Sequence, residues 1–303
     1  LRCLVGSEMC IRDSPNPGHL LQGLDPQMLL AEGFNESGTA LPEVPGFELR
    51  TKLGEGGMGA VYRAWQTSLE REVALKLVRP ELEAIDVSVF DRLEREARAM
   101  AKLRHPNIVA VHDFIRFDET SVALVLELIE GETLRTLLTR HENGLPIGQV
   151  MRLAREIGQA LEAAHVAGLV HRDIKPANVF ANRSGRVKVG DFGLVHLLDA
   201  FQDGDELTSS GDALGTGGYV APEVTKGHSA EIDHRADLFS LGVMLYQMLT
   251  GHLPRGNFSV PSQTTGVERS VDAFVLQAME EAPQKRFQSC LLYTSPSPRD
   301  IGE

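Results

Sequence analysis

Eight consecutive residues, His171-Arg172-Asp173-Ile174-Lys175-Pro176-Ala177-Asn178, hold an acid, a cation and an amide, and thirteen positions beyond Asn178 stands Asp191, in Asp191-Phe192-Gly193. The strand-like Val179-Phe180 leads into Asn182-Arg183-Ser184-Gly185, a turn-forming sequence, so a hairpin of that length can return Asp191 beside Asn178. Two side-chain oxygens so placed suit a hard cation such as Mg²⁺, which takes phosphates and water as its other ligands. Each residue alone is an ordinary turn residue; the ordered set carries the chemistry.

A second group lies earlier. Gly54-Glu55-Gly56-Gly57-Met58-Gly59 has G-x-G-x-x-G spacing, in which missing side chains let backbone N–H groups approach phosphate oxygens. Dinucleotide-binding folds use the same spacing, but there a helix begins at the last glycine, whereas Ala60-Val61-Tyr62-Arg63-Ala64-Trp65 reads as a strand. A strand-loop-strand hairpin follows. On the next strand, Val73-Ala74-Leu75-Lys76, the two-residue period puts Ala74 and Lys76 on one face. A cleft-facing ammonium needs a carboxylate to orient it, and Glu96, beside the apolar stripe of the next helix, is the candidate, with Glu94 the runner-up. A solvated helix face is the ordinary role of either.

These residues need elements to hold them. Short β-like runs FELRTKL, AVYRAW and EVALKLV fill Phe47 to Leu77, and IVAVHDF and SVALVLELI read as two further strands. Between the two sets, Phe90, Leu93, Ala97, Met100 and Leu103 repeat at helical spacing until His105-Pro106-Asn107 ends the helix. After Gly131 the pattern turns mainly helical: a short helix over Leu134 to Leu138, then Val150, Leu153, Ala154, Ile157, Leu161 and Ala164 on one face of a long one. The expected fold is α+β and two-lobed, a small lobe of five antiparallel strands with one helix followed by a larger, mainly helical lobe.

Acidic residues outnumber basic ones 42 to 30, for a formal charge of -12, which argues against nucleic acid as a partner. The most apolar run, Leu238 to Leu249, is too short to span a bilayer and reads as a core helix. Without a secretory signal, a cytoplasmic location is expected. All three cysteines, Cys3, Cys10 and Cys290, fall in the terminal segments, which sets disulfides and thiolate metal ligands aside. VGSEMCIRDS and CLLYTSPSPRD resemble translated sequencing-adaptor read-through, so residues 1–14 and 290–303 are expected to be non-native tails that do not pack. Residues 15–45 read as a linker in which Asp25 to Ala31 could form a short helix, 46–130 as the small lobe and 131–289 as the large lobe.

With GGMGAVYRA, HRDIKPANV and DFG in this order, the chain from about Phe47 to Phe287 resembles the eukaryotic-like Ser/Thr protein kinases, most closely bacterial ones. The resemblance implies ATP and Mg²⁺, or Mn²⁺ in its place, as cofactors. It implies that Asp173 orients the substrate hydroxyl proton, Lys175 neutralises the transferring phosphoryl, Asn178 and Asp191 hold the metal, and Lys76, oriented by Glu96, grips the α- and β-phosphates. Gly54, Gly56 and Gly59 would cover the phosphates, with Leu53 and Gly57 also binding ATP, Val61 and Ala74 would sandwich adenine, Leu126 would be the gatekeeper, and Glu127 and Ile129 would offer hinge backbone groups.

Lys175 and the run from Gly215-Thr216 to Tyr219-Val220-Ala221-Pro222-Glu223 point to Ser/Thr in proteins as the acceptor, although Gly217 stands where many relatives have proline. Arg172 is of the type that pairs with a phosphorylated activation segment, with Thr208, Ser210 and Thr216 as its residues, which implies autophosphorylation, another copy of the chain serving as a partner in trans. Asp237 would brace the catalytic loop, and Arg286 would pair with Glu223. The segment after Phe287 implies a lobe truncated near its C-terminus; the full-length protein of such relatives can be membrane-anchored. A catalytically silent relative usually lacks a residue matching Lys76, Asp173 or Asp191, and all three are present.

Overall fold

Alternation along β3 (Arg71–Val78) sends Val73, Leu75 and Leu77 to one face, where all three are fully buried, and Ala74 and Lys76 to the other. β3 pairs with β2 (Gly59–Gln66) and with β5 (Val122–Leu126). With β1 (Phe47–Gly56) and β4 (Val111–Arg116) at its edges, the five-stranded sheet has the order β1-β2-β3-β5-β4. The computed structural model describes residues 42–56, 59–78, 87–117, 121–182, 185–192, 217–225 and 232–290. The expected helix over Asp25 to Ala31 and the tail 1–14 lie outside them.

Cross-strand partners share a face. The register Gly54↔Val61, Val61↔Lys76 and Lys76↔Leu124 therefore lines up one row across four strands. The opposite face closes a core of Tyr62, Ala64, Val73, Leu75, Leu77, Ala123 and Val125. Val44 belongs to that core as well, bridged to Phe47, so the linker expected to reach residue 45 ends earlier.

Two compact units result, one from Leu1–Leu82 with Phe114–Leu128, the other from Glu83–Asp113 with Ile129–Glu303. The helix α1 (Val87–Ala101) thus groups with the second unit, unlike the expected split at 130. The reason lies just after it. The Asn107 carbonyl accepts from Val189 N at 2.8 Å, and Val109 N donates to Val189 O at 2.9 Å. The Asn107 amide also donates to Val187 O and Glu156. IVAVHDF is accordingly not one strand: Ile108 bridges Val189, and β4 begins at Val111.

In the second unit β6 (Gly131–Thr133), β7 (Val179–Asn182) and β8 (Val187–Val189) form a small antiparallel sheet. Thr133 caps α2 (Leu134–Thr139) by accepting from Thr136 N at 3.1 Å. The long helix α3 (Ile147–Val166) buries every residue of the predicted stripe. α4 (Pro222–Thr225) is a single turn, whereas α5 (Arg235–Thr250) is buried nearly all round, as a core helix should be. Gly242 is what lets α7 (Arg269–Ala278) lie against it, because a Cβ there would come within 2.7 Å of Ala278 Cβ. Between them runs α6 (Pro261–Thr265). No helix among the described residues is long and apolar enough to cross a membrane.

Cys290 departs from expectation. Rather than lying in a tail that does not pack, it is fully buried, its N–H donating to Glu162 Oε2 at 3.1 Å and its Sγ standing 3.6 Å from His165 Nδ1. Burial, with Asp237 and Glu162 nearby, pushes its thiol far up. Composition cannot register such a socket; only the faces of α3 and α5 create it.

Gly59 has φ +130°, and a Cβ there would fall 1.9 Å from Leu77 O. Gly59→Val is expected to cost about 2–4 kcal/mol, read as a lower urea midpoint. Gly54→Ala, whose Cβ would meet nothing within 4 Å, should stay within about 0.5 kcal/mol of the parent.

Candidate active site

Asp173 stands in a loop whose backbone is held from below. Asp237, on α5 and fully buried, accepts from His171 N at 2.8 Å and Arg172 N at 2.7 Å. A buried carboxylate needs such donors, and charge-assisted bonds of this kind are the strong ones. Arg172 adopts φ +64°, a conformation that a side chain disfavours and that these bonds stabilise.

The ring of His171 ties this loop to the next segment. Its Nδ1 accepts from Asp173 N at 3.3 Å, which assigns the proton to Nε2, and Nε2 donates to Gly190 O at 2.8 Å. Phe192 packs its ring 4.5 Å from that imidazole and is buried.

Around the Asp173 carboxylate, Lys175 Nζ lies 2.9 Å from Oδ2 and Asn178 Nδ2 donates to Oδ2 at 3.0 Å and to the Asp173 carbonyl at 2.8 Å. The tight turn Pro176–Asn178 brings the amide there. Because Nδ2 faces Asp173, the other end of the amide is Oδ1, the atom able to ligate a cation. Val179↔Val189 pairing and the bond from Gly190 N to Asn178 O, 2.9 Å, return the chain so that Asp191 follows directly beside Asn178. Asp191 has φ +59°. A carboxylate and an amide oxygen, from residues flanking the paired strands β7 and β8, are the hard donors that Mg²⁺ or Mn²⁺ accepts, so the residue types fit such an ion.

Residues 47–293 match the protein kinase domain family. This chain belongs to that family. It is 40% identical to the serine/threonine-protein kinase pkn3 of Myxococcus xanthus over 69% of its length and 38% of that protein's. It is 37% identical to the serine/threonine-protein kinase PknB of Mycobacterium leprae over 80% of its length and 41% of that protein's. The chain therefore spans about two-fifths of these relatives. Among solved structures, a point mutant of the Mycobacterium tuberculosis PknI kinase domain matches with a TM-score of 0.69 and 28% identity, covering 86% of this chain and 98% of that one. The fold is that of a bacterial-type Ser/Thr kinase catalytic domain.

In the first unit of the kinase domain, Lys76 and Ala74 are buried on the face that also carries Gly54 and Val61. Leu53 is half exposed, and Glu127 follows directly on β5, with Ile129 just beyond. In the second unit, Glu94 and Glu96 differ in their surroundings. Glu94 makes an exposed pair with Arg98 at 2.6 Å, one turn along α1. Glu96 is half-buried, and its carboxyl is pushed up by that burial, partly offset by Arg172. Lys76 belongs to the first unit and Glu96, Asp173, Asn178 and Asp191 to the second. Gly57, Thr208, Ser210 and Thr216 lie outside the described residues.

Glu223, on α4, meets Arg286 as expected, with Nη1–Oε1 at 2.6 Å and Nη2–Oε2 at 2.8 Å. The Arg286 guanidinium is buried and also donates to three carbonyls, Arg235 O, Glu280 O and Glu281 O. It lies 4.9 Å from the centre of the Phe239 ring. Sequence reasoning missed His165, whose Nε2 lies 2.7 Å from Asp237 Oδ2. The signal was present, since His165 stands one turn after Leu161, on the buried stripe of α3.

Burial opposes ionisation of Glu223, yet the Arg286 bonds outweigh it and hold the carboxyl below its ordinary value of 4.5. A lowered value means stability that is present above that ordinary value and lost as pH falls through the folded one. Arg286→Ala should cost about 3–5 kcal/mol at pH 7, because it strands a half-buried carboxylate, and the deficit should shrink towards pH 3 in urea titrations.

Proposed function

We propose that this chain transfers the γ-phosphate of Mg-ATP to Ser and Thr hydroxyls of proteins, with Asp173 as the residue that orients the acceptor. The observation that carries the reading is the Asp173 carboxylate held by Asn178 and Lys175 on the same oxygen, at 3.0 and 2.9 Å, beside the hairpin that presents Asp191.

Such a carboxylate accepts a hydrogen bond from an incoming hydroxyl and takes its proton as the oxygen bonds to the γ-phosphorus and the bond from that phosphorus to the β-phosphate oxygen breaks, releasing ADP. Lys175 supplies positive charge at the same place, which offsets the charge on the transferring group. Asn178 keeps Asp173 in one rotamer, so the acceptor oxygen meets the phosphorus in line. Lys76 is assigned to the α- and β-phosphates with Glu96 as its orienter, Gly54, Gly56 and Gly59 to the phosphate cover, Leu53 and Gly57 to ATP contact beside them, Val61 and Ala74 to adenine, and Glu127 and Ile129 to the hinge. A divalent cation on Asn178 and Asp191 supplies countercharge to the phosphates. No covalent intermediate on the enzyme is needed.

Arg172 is read as the cation that meets a phosphorylated Thr208 or Ser210, with a second copy of the chain as a trans substrate and a cytoplasmic setting for the domain. Glu223 and Arg286 anchor the end of that segment.

Incubation with labelled ATP and Mg²⁺ tests the reading. Asp173→Asn and Lys76→Met should each lower incorporation into protein by about 10²–10⁴-fold without loss of cooperative melting; equal incorporation by either variant would sink it. A Thr208→Ala, Ser210→Ala double variant should lose both self-labelling and most activity towards an added substrate, and unchanged rates would remove the segment switch.

A further inference from the structure

His165 has no part in the chemistry just described, yet it occupies the one buried carboxylate that holds the catalytic loop. Asp237 receives three donors: His171 N and Arg172 N from the loop, and His165 Nε2 from the last turn of α3 at 2.7 Å. The His165 side chain is 8% exposed and that of Asp237 is 0%. Oδ2 therefore carries both His165 and His171 N, while Oδ1 carries, among the described residues, Arg172 N alone.

The tautomer of His165 follows from its neighbours. Nδ1 faces Cys290 Sγ at 3.6 Å, and the thiol, kept protonated by burial, can donate to it. Nε2 then bears the hydrogen directed at Asp237. The second imidazole nearby, His234, lies 5.4 Å from the His165 ring, and its own Nε2 is engaged by Gln288 O at 3.0 Å. Glu162, the remaining charged neighbour, has Oε2 taken by Ser289 Oγ and Cys290 N, both at 3.1 Å. With that oxygen committed and the thiol neutral, Glu162, His165 and Cys290 are better explained as a hydrogen-bonded chain than as a cation site.

We infer that His165 is a positioning residue for phosphoryl transfer: its Nε2–H fixes the rotamer of Asp237, so that the carboxylate can hold both His171 N and Arg172 N and keep Asp173 aimed at the acceptor. The reason is geometric. A carboxylate turning about its Cβ–Cγ bond can keep one backbone donor while losing the other, and Arg172, at φ +64°, relaxes when its bond is lost. The donor on the far side opposes that rotation. This inference rests on the assignment of Asp173 given above.

The test uses the full chain, with labelled ATP and a protein substrate, beside the parent and Asp173→Asn. A parent with no transfer, or Asp173→Asn with parental transfer, refutes the assignment of Asp173; the His165 variants are judged against an active parent. His165→Ala should lower kcat by roughly 10–100-fold, the weight of one hydrogen bond to a charged group, and leave KM for ATP within about twofold. His165→Gln, which places an amide N–H at similar reach, should restore kcat to within about fivefold of the parent. A His165→Ala enzyme with parental kcat overturns the inference, and so does a melting-cooperative His165→Gln enzyme as slow as the alanine variant. If alanine prevents folding, the glutamine variant decides alone, by the same two outcomes.

Discussion

One buried carboxylate orders the active centre. Asp237 is removed from water and accepts two consecutive backbone N–H groups, and that pair fixes the direction in which the chain leaves His171. Consecutive amides rarely point at one acceptor in regular structure, so their convergence is bought by the conformation of Arg172. The carboxylate can stay in place because α5 is a core helix packed by α3 and α7. A stable helix thus supplies a rigid anchor for the loop that carries Asp173.

From this anchor a second linkage runs to Asn178 and Asp191, the proposed cation ligands. His171 is the joint, bonded through one ring nitrogen to Asp173 N and through the other to Gly190 O. Asp173 and the hairpin end that carries Asp191 are thereby referred to a single ring. Asn178 adds a parallel link, its side chain on Asp173 and its carbonyl on Gly190 N. Phosphoryl transfer depends on alignment and countercharge more than on covalent help, and a doubly linked frame is what alignment requires.

Much of this could be read from the sequence because the residues are both close-spaced and chemically distinctive. The hairpin between Asn178 and Asp191 was legible from one short apolar run and a turn at the right spacing, and β3 from its alternation around Lys76. The stripe of α3 was legible because six apolar positions repeat at one period. What stayed hidden depends on contacts between distant segments. Asn107, an ordinary helix-terminating residue in sequence, proves to be the tie that draws the chain after α1 onto β8 and shifts the boundary between units. Val44 was assigned to a linker since one apolar residue between prolines shows no period. Cys290 was discounted with its tail, and His165 was passed over, because neither shows its partner until α3 and α5 are side by side.

The location of backbone strain fits the same division of labour. Among the described residues, three that are not glycine have positive φ: Glu70, in the turn between β2 and β3, and Arg172 and Asp191. Each such residue costs about 1–2 kcal/mol, and a protein keeps one only where its neighbours leave no alternative. For Arg172 the constraint is Asp237. For Asp191 it comes from both sides: Gly190 is held by Asn178 and His171 before it, and Phe192 is buried against His171 after it. A carboxylate released from such a segment would find lower-energy backbone conformations that point elsewhere. The strain is thus a mark of how strongly the frame specifies where the oxygen goes, with Asp237 enforcing it at Arg172 and the His171 imidazole on both sides of Asp191.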